Sequence, residues 1–168
     1  MHKIIVIVHD IRSCHNVGSL LRTAEGFGVE KVYFTGYSPY PPTENDERLP
    51  HISRKLARDI HKTALGAEDL ITWEHQNDIS KLITRLKLDG FTICALEQSP
   101  SAIPLPDYTA PLKVALLLGR EVEGIDRDLL TECDELLEIP MAGKKESFNV
   151  VQAAAIALYH LTLVARSK

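Results

Sequence analysis

A chain of 168 residues, 45% hydrophobic and free of low-complexity runs, suits one globular domain with a full core and leaves no room for a second. A formal net charge of −4 excludes a protein that coats polyanions through bulk charge, so any contact with nucleic acid has to come from a local basic face. The apolar run near the amino terminus, Ile4 to Val8, is too short for a signal-peptide core or a membrane span, and the cytoplasm is the expected compartment. Lys3 to Val8 is a continuous β-branched run and reads as a strand buried on both faces, which belongs in a parallel sheet. A helix follows, with Asn16 as its expected N-cap, Val17, Leu20, Leu21, Ala24 and Phe27 on one face, and Gly28 as its stop. Arg22 falls well away from that apolar face. Val32 to Thr35 reads as the next strand, and Gly36 to Pro50 as a loop whose proline and acid content fits a mobile segment.

His51 to Leu65 reads as a helix because Ile52, Leu56 and Ile60 recur at four-residue spacing while Arg54, Arg58, His61 and Lys62 gather on another side. Ile71 to Trp73 reads as a short strand. Ile79, Leu82, Ile83 and Leu86 define a further helix, capped by Asn77 or Asp78 and ended by Gly90. Phe91 to Leu96 and Val114 to Leu118 are expected strands, separated by a proline-punctuated loop from Glu97 to Pro111. Asp126 to Glu132 reads as a short helix and Leu136 to Ile139 as a last strand. The final helix, Val150 to Ala165, is apolar nearly all round, which predicts a homodimer formed through it, with a wholly internal core helix as the alternative. The alternation of strands and helices predicts an α/β domain with a mostly parallel sheet and helices on both faces. Ligands of such sheets lie at the carboxyl ends of strands.

Several signals exclude common chemistries. Gly26-Phe-Gly28 lacks the third glycine of a dinucleotide fingerprint and ends a helix where the fingerprint would open one. No serine sits in a nucleophile elbow, and no phosphate-loop lysine motif is present. Cys14-His15 are chain neighbours, a spacing that rarely turns two side chains toward each other. Cys14, Cys94 and Cys133 fall outside any paired motif, and the seven histidines lack ligand spacing, so neither a disulfide framework nor a metal is expected.

Three stretches stand where a strand gives way to a turn or helix. They are Asn16-Val-Gly-Ser-Leu-Leu-Arg-Thr-Ala, Leu116-Leu-Leu-Gly-Arg-Glu-Val-Glu-Gly-Ile, and Ile139-Pro-Met-Ala-Gly-Lys-Lys-Glu-Ser-Phe-Asn-Val-Val-Gln-Ala-Ala-Ala-Ile. In the last, Ser147 or Asn149 can cap the final helix, with Gln152 as the reciprocal partner of a capping box. The first-turn N–H groups of that helix would then face the loop, an arrangement suited to an anion or polar ligand.

Taken together, in this order and spacing, the three stretches resemble the motifs of the SPOUT superfamily, specifically its SpoU (TrmH-like) branch of RNA ribose 2′-O-methyltransferases. The likeness runs nearly end to end, as a single domain over residues 1–168. It implies a homodimer, S-adenosylmethionine as methyl donor, and a deep trefoil knot toward the carboxyl end, which pattern reading alone does not suggest. It further implies cofactor contacts at the positions matching Leu96, Gly119, Ile139, Met141, Phe148 and Asn149, and functional roles at Asn16, Arg22, Glu121, Ser147 and Asn149. Arg120, Val122-Glu123 and Gln152 depart from the family's pattern, as does Phe148, where Leu is usual. Arg54, Lys55, Arg58, Lys62, Lys144 and Lys145 are the expected phosphate contacts. A 2′-hydroxyl in sequence context is best read in exposed loops where bases splay, which fits a tRNA loop or an accessible rRNA loop; tRNA is favoured because the extra RNA-binding domain that many relatives carry is not expected in this sequence. The alternatives are a catalytically silent RNA-binding or ribosome-assembly module, and a methyltransferase acting on protein or a small molecule.

Overall fold

The computed structural model describes residues 2–164. Its frame is a seven-stranded sheet of β1 (Lys3–His9), β2 (Lys31–Thr35), β3 (Trp73–Gln76), β4 (Thr92–Leu96), β5 (Ile103–Pro104), β6 (Lys113–Leu118) and β7 (Glu135–Glu138). The strands lie in the order β3-β2-β1-β6-β4-β7-β5 and every pairing is parallel. The helices are α1 (Cys14–Gly26), α2 (Pro50–Ala64), α3 (Ala67–Leu70), α4 (Ile79–Leu88), α5 (Arg127–Thr131) and α6 (Val150–Tyr159), the last continuing as a π-helical turn, His160–Val164. The expected α/β class with a parallel sheet is therefore observed. Among the described residues no helix is long and apolar enough to cross a membrane.

The unbroken apolar runs of β1 and β6 follow from burial on both faces. Val6, Val8, Leu116 and Leu118 point into one core with Leu20 and Leu21 of α1, Ile60 and Ala64 of α2, and Ala157 and Leu158 of α6. The alternate residues Ile5, Ile7, Ala115 and Leu117 point the other way, onto Leu82, Ile83 and Leu86 of α4 and Leu129 of α5. α1 and α2 cross at Gly18, where an added Cβ would meet the carbonyl oxygen of Ile60 and the hydroxyl of Thr63. The glycine is thus what lets the two helices approach this closely.

Several expected boundaries move, each for a visible reason. The N-cap of α1 is Ser13, whose Oγ accepts from the Asn16 N–H at 3.2 Å, so Asn16 lies inside the first turn with its side chain free for other work. The stop at Gly28 holds: its φ of +67° is left-handed, and Gly28 and Val29 donate to Glu25 and Ala24 in a Schellman closure. The strand expected at Ile71–Trp73 begins only at Trp73, because Ile71 is still tied to Ala67 as the end of α3, a helix the sequence reading missed. On α2 the buried residues are Ile60 and Ala64, whereas Ile52 is exposed. The loop before α2 is fastened: the Arg48 guanidinium donates to Asp46 and to the carbonyls of Tyr40 and Pro41, and lies 4.0 Å from the Tyr40 ring centroid. Between Glu97 and Pro111 the chain contributes β5 and a 3-10 turn, Leu105–Asp107. Asp78 caps α4 through the Lys81 N–H and Gly90 ends it at φ +83°, as expected. Ala165, the expected end of the last helix, lies outside the described residues.

Because β6 inserts between β1 and β4, and β7 between β4 and β5, the loops leaving β4, β6 and β7 come together at the carboxyl edge of the sheet. α6 and its π-helical turn bury Ala154, Ala157, Leu158, Leu161 and Thr162, while Ile156, Tyr159, Leu163 and Val164 stand exposed.

Candidate active site at the carboxyl edge of the sheet

The loops after β4, β6 and β7 and the start of α6 enclose an open cleft. Leu96, Gly119, Ile139 and Phe148 line it, together with Glu121, Ser147 and the first turns of α6 at Val150 and Ala153. Four of the six residues expected at a cofactor are therefore neighbours; Met141 and Asn149 do not line the cleft. Met141, itself half-buried, sits in a loop whose other residues, Pro140 and Ala142 to Asn149, are all exposed. Phe148, 40% exposed, presents an apolar ring at the mouth.

A chain of side-chain hydrogen bonds joins the three motifs beside this cleft. Asn16 Nδ2 donates to Glu121 Oε1 at 3.0 Å, and Asn149 Nδ2 donates to Asn16 Oδ1 at 3.4 Å. Asn149 is also the N-cap of α6, its Oδ1 accepting from Val151 N–H at 2.9 Å, so one side chain caps a helix and reaches the α1 motif. The reciprocal arm of the expected capping box is not made, and Gln152 is exposed. Glu121 also accepts from the Arg12 N–H at 3.5 Å. Residues more than 100 positions apart in sequence thus share one polar cluster.

The turn carrying Glu121 is stapled by a residue that sequence reading passed over. Glu97 Oε2 accepts at 2.9 Å from the N–H of Ile125, a residue with a buried side chain, and Gly124, with φ +71°, has no room for a Cβ beside that carboxylate. Gly119, expected to let a ligand approach the backbone, is required by the turn itself: its Cβ would collide with the Ile125 side chain and come within 3.0 Å of the Gly124 carbonyl carbon. Arg120 tightens the same turn, its Nε donating to Gly124 O at 3.2 Å and its other arm to Asp126. The departure from the family pattern at Arg120 therefore has a structural role. The only sequence signal for Glu97 was its place directly after β4.

Other expected residues lie elsewhere. Arg22 is exposed, does not line the cleft, and has no hydrogen bond or ion pair among the described residues. Six positions after Asn16, it stands about 9 Å further along α1 and about 120° around it. Arg54, Lys55, Arg58 and Lys62 form an exposed row on α2, with Arg58 and Lys62 partly neutralised by Asp59 at 3.3 and 2.9 Å. Lys144 and Lys145 are exposed on the loop before α6. Burial raises the thiols of Cys14, Cys94 and Cys133, the last two to about 12 and about 11, so none is primed as a nucleophile. Among the described residues no group of three or more His, Cys, Asp or Glu side chains converges as a metal site would require.

Residues 3–159 match the SpoU rRNA Methylase family. A Staphylococcus epidermidis protein, described as a TrmH family tRNA/rRNA methyltransferase, is 28% identical over 160 residues, covering 95% of this chain and 58% of the relative. A Staphylococcus haemolyticus protein of the same description is 28% identical over 157 residues. The chain therefore spans less than two thirds of the length of these relatives. The A. aeolicus TrmH/SpoU tRNA modifying enzyme superposes with a TM-score of 0.78 at 20% identity, covering 96% of this chain and 75% of that one. The SpoU methyltransferase AviRb from Streptomyces viridochromogenes, solved with its cofactor AdoMet, gives 0.78 at 20% identity over 99% of this chain and 62% of that one. With the match running through all three motifs and the same fold beneath it, this chain belongs to the SpoU rRNA Methylase family.

Proposed function

We propose that the protein is an S-adenosylmethionine-dependent RNA methyltransferase acting on a ribose 2′-hydroxyl, with a tRNA loop as its substrate. The observation that carries this reading is the Glu121–Asn16–Asn149 hydrogen-bond chain, which gathers all three motifs beside one cleft. Leu96, Gly119, Ile139 and Phe148 give that cleft an apolar wall among backbone polar groups, which fits the flat adenine and charged tail of the donor. When bound, the donor supplies an electrophilic sulfonium methyl group. The trefoil threading belongs to the same reading, supported by the convergence of the loops after β4, β6 and β7. The tRNA target is favoured by the likeness to the A. aeolicus tRNA modifying enzyme, of which this chain covers the larger part.

A ribose hydroxyl is a weak nucleophile and must lose its proton as it attacks. Arg22, which stays charged, suits a clamp on a substrate phosphate and on the charge developing at the ribose oxygen better than it suits a base. Because Arg22 stands away from its own chain's cleft, the reading calls for a second copy to supply it. The exposed Ile156, Tyr159, Leu163 and Val164 on α6 provide the apolar face for that homodimer, and α1 packs beside α6. Asn16 and Glu121 hold the turn, and Ser147 and Asn149 border the reacting sugar. Such an enzyme works where its RNA is, in the cytoplasm.

Transfer of labelled methyl from S-adenosylmethionine to RNA lacking the modification tests this. The expected product is label in tRNA at one linkage resistant to alkali. Arg22→Ala should lose about 10²–10³-fold in rate with donor affinity intact, and mixing it with an inactive Asn149→Ala protein should restore activity through shared sites. Label on a base, or in protein only, refutes the ribose reading; label confined to large RNA moves the target to rRNA.

A further inference from the structure

Beside the polar cluster the molecule displays an aromatic ring that the methyl-transfer chemistry does not use. Tyr37, on the loop leaving β2, is 49% exposed, and the Arg12 guanidinium lies 5.6 Å from its ring centroid. Surface tyrosines are ordinary, but this one is held on an unusually well-fixed base. Its N–H donates to Asp10 Oδ1 at 3.0 Å, and Asp10 itself adopts a left-handed φ of +57°. Gly36, at φ +63°, has no room for a Cβ because the Asp10 carboxylate fills that space. Ser38, 2% exposed, donates its hydroxyl to Val8 O at 3.0 Å and accepts from Ile11 N–H at 3.1 Å, locking the loop after β2 to the loop after β1. Backbone strain maintained by a buried hook, under an exposed ring, marks a site where orientation matters.

The position of the ring supplies the function. Arg12 reaches the active cluster through its main chain, the N–H donating to Glu121 Oε2 at 3.5 Å. Its side chain is 70% exposed and only loosely paired, with Glu123 at 3.8 Å, so a ligand can draw it away at little cost. An aromatic face beside a guanidinium plane is the surface on which unstacked nucleobases rest.

We infer that Tyr37 and Arg12 form a stacking platform that receives a splayed nucleobase next to the methylated ribose and fixes the register of the RNA strand. The inference rests on the proposed RNA substrate and names the part of the site that reads it. Tyr37 supplies the ring face, and Arg12 supplies a second plane and a contact for the adjoining phosphate. Base stacking tolerates different sequences, so the platform orients the strand without selecting one base.

The test measures filter binding of the full-length protein to tRNA and, separately, rRNA from cells lacking the gene, across a salt series. Tyr37→Ala should weaken binding about 5- to 150-fold with an unchanged slope of log affinity against log salt, because no phosphate contact is lost. Tyr37→Phe and Tyr37→Trp, which keep the ring, should bind like the parent. Unaltered binding by Tyr37→Ala overturns the platform, as does a Phe variant as weak as Ala, or failure of the parent to bind either RNA. Methyl transfer is scored in parallel. Tyr37-dependent binding without transfer sustains the platform and sinks the enzymatic reading; transfer indifferent to Tyr37 does the reverse.

Discussion

Replacing Glu97 by alanine removes the staple of the turn that carries Glu121. Two N–H groups lose their acceptor: Ile125 at 2.9 Å and Gln98 at 3.2 Å. Gln98 is exposed and water replaces its partner, so little is lost there. Ile125 is 6% exposed, and an N–H left unsatisfied in such a place costs about 1–3 kcal/mol. For a domain of this size each kcal/mol lowers Tm by about 2–4 °C, which gives an expected fall of about 2–12 °C. Glu97→Gln keeps an oxygen acceptor and loses only the charge, so its fall should be well under that of alanine. Since Gly119 and Gly124 line the cleft, both variants should also bind S-adenosylmethionine less tightly, in the same order. Thermal and urea unfolding, with calorimetric titration of the donor, provide the readouts. An alanine variant melting with the parent, or a Gln variant less stable than Ala, refutes the stapling argument.

Gly18→Ala should cost about 1–3 kcal/mol by overpacking, since the new methyl meets Ile60 O and Thr63 Oγ1 at the α1–α2 crossing; a neutral urea midpoint would mean the helices separate freely. Asn16→Ala and Glu121→Ala should be coupled by about 0.5–3 kcal/mol in a double-mutant cycle on methyl transfer, whereas additive losses would show that their 3.0 Å contact is incidental. Burial lowers the pKa of His9 and of His75 below 6.5, so between their folded values and 6.5 the unfolded chain binds more protons than the native one. Stability should therefore be full above pH 6.5 and fall as pH drops below it. The lowered carboxylates Asp59 and Asp78 act only in more acidic solution, below their ordinary 3.8. Urea midpoints at pH 7.5 and 5.5 measure this, and a His9→Asn, His75→Asn protein should show a flatter profile.

Local chemistry decided much of this protein. The β-branched run of β1 could only be a doubly buried strand, and Asp78 and Gly90 bracketed α4 through hydrogen bonds and dihedrals that depend on near neighbours alone. The three motifs were legible because each sits at a strand-to-helix junction with its own turn chemistry. What sequence reading missed or left incomplete depended on partners far along the chain. Asn16 looked like a cap because its oxygen suits one; the fold gives the cap to Ser13 and spends the Asn16 side chain on Glu121, 105 residues away. Gly119 was expected to let a ligand approach the backbone; it does line the cleft, and Ile125 folding back over it makes it a packing requirement as well. Glu97 carried no periodic or motif signal, since its worth lies in an N–H brought to it from another loop. Arg22 was placed in the site by resemblance, yet the helix that carries it turns it away from its own chain's cleft. Local patterning was enough for most of the strands and helices, though not for α3 or β5, and for most of the residues able to do chemistry. Which of them meet is a property of the assembled fold, because strand order and side-chain hydrogen bonds between distant loops are set by the packing of the whole sheet and not by any segment's own preference.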